Sequence, residues 1–283
     1  MPKTVNVLQV LRLFSDERRQ IRVAEIARLL QVSSATAYRY VDELEQVRLI
    51  ERAAVGSYVL GPTIVELDRQ IREHDPLIAA AADIMRGLSE RTGGTTLLVR
   101  LHGLTVMCVH QVRGRHGPMA VSYERGRTMP LFRGATSRII LAHLGDETIR
   151  QLVENEAAML RRAGLPTRVE ALRVQLAAWR ESRVVHSRGE VDPEALGWAV
   201  PIHHGRQLLG SLSVVLSGRA PEIVPQRIAS QLERATLMPF DPADHSFHVL
   251  KRSGRNDEAV LVEVLDGVAR WIETLPRGDG ARR

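Results

Sequence analysis

Thr36, Tyr38 and Arg39 form a short polar group whose spacing suits contact with nucleic acid. Apolar residues at helical intervals lie between and after them, which predicts a helix whose buried face excludes these three side chains. An arginine can make two hydrogen bonds to guanine, and threonine and tyrosine hydroxyls can bond bases or phosphates. We therefore expect Thr36 and Arg39 to contact DNA. For Tyr38, partial packing against the wing that follows this helix is an equal alternative.

Three amphipathic helices are predicted to position this group. Only residues 31–33 join the second helix to the third, which is typical of a helix-turn-helix. Ser33 and Ser34 stand where the N-cap of the third helix belongs. The apolar faces of the three helices comprise Val7, Val10, Leu11 and Phe14; Val23, Ile26, Ala27 and Leu30; and Ala37, Val41 and Leu44.

A two-stranded wing is predicted after the third helix. Strand-like residues at 49–52 and 58–60 flank a turn at 55–57 that contains a glycine. Arg22, just before the second helix, and Arg52, in the wing, are candidate phosphate contacts. The residues predicted to contact DNA are Arg22, Ser33, Ser34, Ala35, Thr36, Tyr38, Arg39 and Arg52.

A second polar cluster surrounds the start of a predicted apolar helix. The Gly-Ala-Thr-Ser run at residues 134–137 would offer free backbone N–H groups and hydroxyls at a helix N-terminus, an arrangement that binds anions. Arg133 and Arg138 flank this run and could hold a carboxylate. Ser211 and Ser213 alternate along a predicted strand, so both face the same side. The pattern favours a ligand site over a simple helix cap with solvated arginines.

From residue 75 onward the pattern predicts an α+β domain with an antiparallel sheet. A sheet with helices on one side often leaves its other face concave, with room for a small ligand. The predicted helices span residues 78–91, 146–162 and 167–182, and the predicted strands span residues 95–101, 104–112, 119–123, 197–202 and 208–216. Further helices are predicted at 225–238 and 261–272, on either side of a polar segment at 239–256.

A helix at residues 63–74 is predicted to link the two domains. One helix-turn-helix buries little DNA surface, so such modules usually act as symmetric pairs. The apolar edge formed by Ile64, Leu67 and Ile71 is therefore a candidate dimer contact, and packing against its own domain is the alternative. The predicted organisation is a winged helix-turn-helix at 1–62, a linker helix at 63–75, a ligand-binding domain at 76–275 and a polar tail at 276–283.

The composition is that of a globular protein with room for two domains. Of the 283 residues, 44% are hydrophobic and 25% are charged. No apolar run reaches the roughly 18 residues of a membrane span, and polar residues interrupt any signal core near the N-terminus. The single cysteine, Cys108, favours a cytoplasmic location. The net charge is +6, yet residues 1–62 carry nine basic and seven acidic side chains. The prediction of DNA binding therefore depends on where the basic residues lie and not on the total charge.

The sequence argues against catalysis and leaves two competing functions open. It contains no Gly-x-Ser-x-Gly elbow, phosphate loop or His-Glu-x-x-His motif, and Glu190 and Asp192 have no evident partner base. No catalytic residue, cofactor or metal ligand is therefore predicted. Cys108 and His110, placed on one face of a predicted strand, make a metal-responsive DNA-binding protein the first competing function. A constitutive DNA-binding protein with a purely structural C-terminal domain is the second.

Three segments together resemble the IclR (isocitrate lyase regulator) family of transcriptional regulators. Residues 32–52, VSSATAYRYVDELEQVRLIER, resemble its helix-turn-helix, with Arg39 at the family's recurrent arginine. Residues 126–144, GRTMPLFRGATSRIILAHL, resemble its effector-domain signature. SRGEVDPEALGWAVPI and the later GSLSVVLSG resemble its closing strand pair. The resemblance covers most of residues 5–218.

This resemblance implies a GAF-like C-terminal domain that binds a small molecule, usually an organic acid, and performs no chemistry. It implies dimers or pairs of dimers, and a pocket that includes Ala135, Thr136, Ser187, Gly197, Ser213 and Val215. With the anion cluster, the predicted effector site comprises Arg133, Gly134, Ala135, Thr136, Ser137, Arg138, Ser187, Gly197, Ser211 and Ser213. Ala35, Arg48 and Arg138 depart from the family's usual Ser, Gly and Lys or neutral residue, respectively.

The predicted function is a DNA-binding transcriptional regulator controlled by a small organic or aromatic acid. Its expected partners are double-stranded operator DNA, an anionic effector and further copies of itself as a homodimer or homotetramer, without a membrane. We expect the effector to bias the relative orientation of the subunits through the helix at residues 63–74, so that half-site spacing fits the operator better or worse.

Overall fold

A computed structural model describes residues 7–53, 56–116, 122–204 and 207–218. The chain divides into two compact units, Met1–Asp75 and Pro76–Arg283. The tail helices predicted beyond residue 218 lie outside the described residues. Within the described ranges, no helix combines the length and apolar character needed to cross a membrane.

The first unit is a helix-turn-helix followed by a hairpin and a long helix. The first predicted helix is only partly formed: residues 7–9 are helical, a 3-10 turn follows at Leu11–Leu13, and Phe14, predicted on the apolar face of this helix, has an extended backbone. The strand β1 at Ile21–Arg22 was not predicted. The remaining elements are α1 (Val23–Leu30), α2 (Ser34–Gln46), β2 (Ile50–Arg52), β3 (Ser57–Leu60) and α3 (Pro62–His74).

Burial in the first unit follows the predicted helical spacing. Val23 and Ile26 of α1 are buried, as are all three apolar positions predicted for α2. The strands form one antiparallel sheet in the order β1-β3-β2, so Ser57, predicted in the turn, belongs to β3 instead. The buried residues of the unit form one cluster: Val10, Ile21, Val23, Ile26, Ala37, Tyr40, Val41, Leu44, Ile50 and Tyr58.

The connection from α2 into the wing has a left-handed residue that is not glycine. Arg48 has φ +55°, a conformation that costs a side-chain-bearing residue roughly 1–2 kcal/mol. Its carbonyl accepts the Thr63 N–H at 3.2 Å. Gly61 packs against the same carbonyl so closely that a Cβ would lie 2.3 Å from the oxygen. The start of α3 is therefore held tightly against this connection.

Helix α3 has no buried residue. Val65, Leu67 and Ile71 are all exposed, and Ile64 is half-buried. Two ion pairs between residues four apart lie along its polar side, Arg69 with Glu73 and Arg72 with Asp68. The predicted alternative, in which the apolar edge packs against its own domain, therefore accounts for little of this helix.

The second unit is a six-stranded antiparallel sheet with helices on both faces. Its strands are β4 (Thr95–His102), β5 (Thr105–Val112), β6 (Thr128–Pro130), β7 (Val185–Arg188), β8 (Ala195–His204) and β9 (Gln207–Ser217), in the spatial order β6-β5-β4-β9-β8-β7. Its helices are α4 (Pro76–Thr92), α5 (Ala135–Ala142), α6 (Asp146–Asn155), α7 (Ala157–Arg162) and α8 (Val169–Ser182).

Two apolar clusters hold the sheet between its helices. On one face, α4 packs Leu77, Ile78, Met85 and Leu88 against strand residues such as Leu98. On the other face, α5 to α8 form the larger cluster, which includes Ile139, Ile140 and Leu176. The expectation of helices on one face only is therefore wrong, because α4 covers the second face.

Three further predictions in this unit need correction. β6 and β7 were not predicted as strands, and Ser187, placed before a strand, lies within β7 opposite Gly197. The predicted strand at 119–123 falls partly outside the described residues, and its Ser122 and Tyr123 lie in a bend. The helix predicted at 146–162 is two helices that meet at Glu156. The overall class, a helix-turn-helix unit plus an α+β unit with an antiparallel sheet, is confirmed.

Candidate functional site

Helix α2 begins at a local hydroxyl network. Ser33 is its N-cap, and the Ser33 Oγ accepts the Thr36 N–H at 3.2 Å. The hydroxyls of Ser33 and Thr36 lie 2.9 Å apart. Ser33, Ser34 and Ala35 are exposed, and Thr36 is half-buried. The first turn of α2 is therefore anchored by its own side chains and open to a partner.

The outward face of α2 carries Tyr38 and Arg39. Tyr38 is 57% exposed, so packing within its own domain explains little of its placement. Arg39 forms an exposed ion pair with Glu43 at 3.6 Å, and its guanidinium lies over the Tyr40 ring at 5.7 Å. An exposed pair of this kind contributes little stability, so it leaves Arg39 available to a stronger anionic partner.

The two candidate phosphate contacts in the small sheet lie on opposite faces. Arg22 pairs with Ser57 and Arg52 pairs with Tyr58, which are adjacent residues of β3. Arg52 also forms an ion pair with Glu45 at 3.1 Å, and this carboxylate raises the pKa of Arg52. The backbone N–H of Arg22 donates to Glu25 at 3.0 Å, while its side chain is exposed. Arg22 and Arg52 therefore cannot act as a single clamp.

In the second unit, a small cavity lies between the start of α5 and the turn that joins β7 to β8. Its water-accessible volume is about 30 Å³, enough for about two water molecules. Five residues of the predicted effector site line it: Gly134, Ala135, Thr136, Ser187 and Gly197. Val215, which the resemblance to the IclR family places in the pocket, also lines the cavity, and the rest of the lining comprises Tyr123, Glu190, Val191, Asp192 and Ala195.

The N-terminus of α5 is already occupied by side chains of the same protein. The Gly134 N–H donates to Glu190 Oε2 at 3.0 Å, and the Ala135 N–H donates to Ser187 Oγ at 2.9 Å. Gly134 has φ +81°, and a Cβ there would lie 3.0 Å from a Val191 methyl group. The expectation of free N–H groups at this helix start is therefore wrong for Gly134 and Ala135, because distant side chains accept these two N–H groups.

Thr136 links α5 to strand β9. Its hydroxyl donates to Ser213 Oγ at 3.0 Å, and its carbonyl accepts the Ser211 hydroxyl at 3.0 Å. Ser211 and Ser213 are fully buried on the same face of β9, as their alternation predicted. These two serines do not line the cavity but hold Thr136, which does, in place.

Arg138 is neutralised by a carboxylate. Its Nη1 donates to Glu190 Oε1 at 2.5 Å, and its guanidinium lies over the Trp179 ring at 5.2 Å. The Arg138 and Glu190 side chains are only 18% and 23% exposed. The buried Arg138 Nε has no hydrogen-bond partner within the described structure. Arg133 is exposed, and neither Arg133 nor Arg138 lines the cavity itself, so Arg138 is connected to it through Glu190.

A second carboxylate on the same turn, that of Asp192, lines the cavity and binds Ser122. Asp192 accepts hydrogen bonds from the Ser122 backbone N–H, at 3.0 Å, and from the Ser122 hydroxyl. The neighbouring Tyr123 hydroxyl donates to the Arg133 carbonyl at 2.8 Å and lies 2.7 Å from Ser137 Oγ. Burial raises the pKa of Tyr123 to about 12, so the phenol stays protonated. Ser137 thus supports the wall from behind.

The sequence interpretation missed most of the acidic wall. Glu190 and Asp192 were recognised only as carboxylates without a partner base, although Glu190 faces Arg138 and Asp192 faces Ser122. One signal was available in the sequence. Glu190 and Asp192 lie between Gly189 and Pro193 in a predicted loop, and Arg133 and Arg138 flank the predicted helix start, so opposite charges were present in the two segments. Pairing Glu190 with Arg138 and Asp192 with Ser122 required knowledge of contacts 52 and 70 residues apart in sequence.

The geometry disfavours a metal site at Cys108 and His110. A bulge in β5 pairs Cys108 with Val99 and His110 with Leu98, so the two side chains lie on opposite sheet faces, contrary to the prediction. Burial raises the pKa of Cys108 to about 12, which keeps the thiol protonated.

A second pair of possible metal ligands is His143 and His203, whose rings are in edge-to-face contact with their centroids 4.9 Å apart. Across residues 7–53, 56–116, 122–204 and 207–218, no three His, Cys, Asp or Glu side chains gather around a possible ion.

Two domain models of one protein family match this chain. Residues 4–54 match the IclR helix-turn-helix domain, and residues 70–235 match the bacterial transcriptional regulator IclR C-terminal domain. The HTH-type transcriptional regulator XynR of Escherichia coli strain K12 is 27% identical over 235 residues, which cover 81% of this chain and 92% of XynR.

Solved structures share the fold. A crystal structure of an IclR transcriptional regulator from Silicibacter sp. TM1040 aligns with a TM-score of 0.69 and 26% identity, covering 83% of this chain and 94% of that one. An IclR homologue from Microbacterium hydrocarbonoxydans, crystallised with 4-hydroxybenzoate, aligns with a TM-score of 0.64 and 23% identity, covering 83% and 99%. The relatives are transcriptional regulators rather than enzymes, and the chain belongs to the IclR family of DNA-binding transcriptional regulators.

Proposed function

We propose that this regulator binds its operator as a symmetric dimer, or a pair of dimers, and that a small organic acid in the α5 cavity controls that binding. In this proposal, α2 enters the major groove through Ser34, Ala35, Thr36, Tyr38 and Arg39. Ser33 holds the start of the helix, and Arg22 and Arg52 contact phosphates separately. Helix α3 supplies a contact between copies.

The exposed first turns of α2 are the observation that carries the DNA part. Tyr38 and Arg39 project from a helix whose opposite face packs Ala37, Val41 and Leu44 into the core. A recognition helix reads base edges with residues near its N-terminus, where these side chains lie. The ion pair of Arg39 with Glu43 is exposed, so a guanine or phosphate can replace it.

The exposed edge of α3 supports association between copies. Val65, Leu67 and Ile71 remain exposed on a helix that contributes no buried residue to its own unit. We expect Leu67→Glu to lower the dimer fraction in sedimentation velocity and to weaken operator binding with it. Glu66→Gln, on the same helix, is the matched control. Unchanged association in Leu67→Glu would remove α3 from the interface.

An organic acid is the effector class that the cavity chemistry supports. The Gly134 N–H and the Arg138 guanidinium already hold a carboxylate, that of Glu190. The relative from M. hydrocarbonoxydans was crystallised with 4-hydroxybenzoate, which like Glu190 carries a carboxylate that can accept hydrogen bonds.

The decisive experiment measures binding of the full chain to DNA upstream of its own coding region, as a function of salt and of added acids. Specific binding that weakens steeply with salt is expected, because arginine–phosphate contacts release counterions. A shift of operator affinity by one acid supports control by an organic acid. Binding to any sequence with equal affinity would contradict the DNA proposal.

The small size of the cavity favours one competing function, a constitutive DNA-binding protein. Space for about two waters does not admit an aromatic ring without movement of the wall. Thermal shift distinguishes the two, because a ligand that binds the folded state raises its melting temperature. A panel of acids that shifts neither the melting temperature nor operator affinity would favour the constitutive function.

A further inference from the structure

Glu190 occupies the position where a ligand carboxylate would bind. One of its oxygens accepts the Gly134 N–H at 3.0 Å, and the other accepts Arg138 Nη1 at 2.5 Å. Its side chain is 23% exposed, so it borders solvent while filling the site. A helix N-terminus and an arginine thus already share one anion, and that anion belongs to the protein.

Two carboxylates cannot use these donors together. Like charges a few ångströms apart repel strongly, and each lowers the affinity of the site for the other. A carboxylate ligand therefore reaches the Gly134 N–H and Arg138 Nη1 only when Glu190 leaves them. The buried Arg138 Nε, which has no hydrogen-bond partner in the described structure, is a donor that Glu190 does not use.

The cavity volume also requires movement. About 30 Å³ holds roughly two waters, whereas an engineered cavity of about 150 Å³ is known to admit benzene. Among the polar groups of the wall, Glu190 is suited to move, because it lies on the turn between β7 and β8, has a flexible side chain and is partly exposed. Ser187 and Gly197, by comparison, are fixed within paired strands.

We infer that Glu190 is an internal competitor for carboxylate ligands, which enter by displacing it from the Gly134 N–H and Arg138. The inference rests on the proposed effector role of this cavity and adds a specificity determinant to it. Displacement also removes one of two carboxylate anchors of the β7–β8 turn, leaving Asp192 on Ser122. A neutral ligand gains nothing by displacing Glu190. Glu190 therefore selects for ligands whose carboxylate binds the Gly134 N–H and Arg138 tightly enough to replace it.

The test compares Glu190→Gln with the natural chain by calorimetric titration of acetate, benzoate and 4-hydroxybenzoate, each beside its amide. Glu190→Gln should bind the carboxylates at least about tenfold more tightly than the natural chain, and the amides with less than about twofold change. Glu147→Gln removes an exposed carboxylate on α6 and should behave like the natural chain. Equal gains for acids and amides, or no gain for any acid, would overturn the inference.

Two further measurements keep the inference testable if Glu190→Gln folds poorly. Glu190→Ala should show the same acid selectivity, since it also removes the competing charge. In the natural chain, saturating 4-hydroxybenzoate should speed amide hydrogen exchange at residues 189–194 and slow it at residues 134–136. Slower exchange in both segments would mean that the ligand binds with Glu190 in place, which contradicts displacement.

Failure of the inference and failure of the proposed function give different results. If Glu190→Gln gains affinity for acids but operator binding ignores them, displacement stands and control of DNA binding fails. If operator affinity responds only to neutral compounds and Glu190→Gln shows no preference for acids, a small molecule still controls operator binding. That molecule is then not an acid, and the displacement of Glu190 by a carboxylate is overturned.

Discussion

Two threonines near the start of two helices, Thr36 in α2 and Thr136 in α5, show how differently the two units prepare their sites. The Thr36 hydroxyl lies 2.9 Å from Ser33, three residues away, in an exposed network. The Thr136 hydroxyl donates to Ser213, 77 residues away, at a buried position. The first network is local and exposed to solvent, whereas the second is long-range and enclosed by the fold.

The difference follows from the two kinds of partner. A DNA duplex is too large to be enclosed, so its contacts must project from a surface that is stable without them. A small molecule is bound by a concave site whose polar groups are costly to bury unpaired, so most of these groups pair with other groups of the protein. Mutations in α2 should therefore change binding more than stability, and mutations around α5 should change both.

The largest expected effect tests the binding side of this contrast. Arg39→Ala should weaken specific operator binding by about 30- to 20,000-fold, because the proposed dimer would lose two base contacts of about 1–3 kcal/mol each. Thermal stability and ligand binding should stay unchanged, since the ion pair of Arg39 is exposed. Fluorescence anisotropy with operator DNA measures the loss, and Arg150→Ala on α6 is the matched control. Loss of ligand binding as well would indicate misfolding.

The next test exchanges each threonine for valine, which keeps the shape and removes the hydroxyl. Thr136→Val should lower the free energy of unfolding of the second unit by about 1–3 kcal/mol, because it breaks a buried hydrogen bond. Thr36→Val should cost less than about 0.5 kcal/mol, because its hydroxyl partner is exposed. Denaturant unfolding followed by tryptophan fluorescence reports the second unit, where all three tryptophans lie. Similar costs for both would break the contrast.

Two serines provide a smaller comparison of a local and a distant cap. Ser33→Ala should destabilise the first unit by about 1 kcal/mol, a usual cost for an N-cap, and weaken operator binding by loosening α2. Ser187→Ala should destabilise the second unit by about 1–2 kcal/mol, because the Ala135 N–H loses its acceptor. Hydrogen exchange at the first turns of α2 and α5 separates the two. No change at α5 would mean that water replaces the serine.

The smallest expected effect concerns Arg48. Arg48→Gly relieves a left-handed backbone but adds freedom to the unfolded chain, so a net gain of about 0.5 kcal/mol in the first unit is expected. Exchange of the buried α2 amides measures it, and Arg28→Gly in α1, where φ is helical, should be destabilising instead. A loss in Arg48→Gly would show that the arginine side chain stabilises the wing.

Local periodicity made α1 and α2 predictable, because helices of 8 and 13 residues repeat their apolar positions often enough to be recognised. β1 and β6 have two and three residues, too few to show alternation. The residues at the start of α5 were predicted as a group from their types. Their bonding state was not, because Ser187 and Glu190 reach them from another part of the chain.

Register also escaped prediction where a strand bulges. Simple alternation places Cys108 and His110 on one face, but the irregularity between Leu98 and Val99 in the pairing of β4 with β5 puts them on opposite faces. A single inserted residue therefore turned a plausible pair of metal ligands into a core thiol and a histidine of the α4 face. Periodicity carries no information about such an interruption.

The buried thiol of Cys108 makes this protein convenient for site-specific labelling. It is the only cysteine in the chain, it is fully buried, and burial raises its pKa to about 12. Thiol reagents react with the thiolate, so a maleimide fluorophore or spin label should ignore it at neutral pH. A cysteine introduced at an exposed site such as Glu66 can therefore be labelled in an otherwise natural background. Distances between copies on and off the operator then become measurable without first removing Cys108.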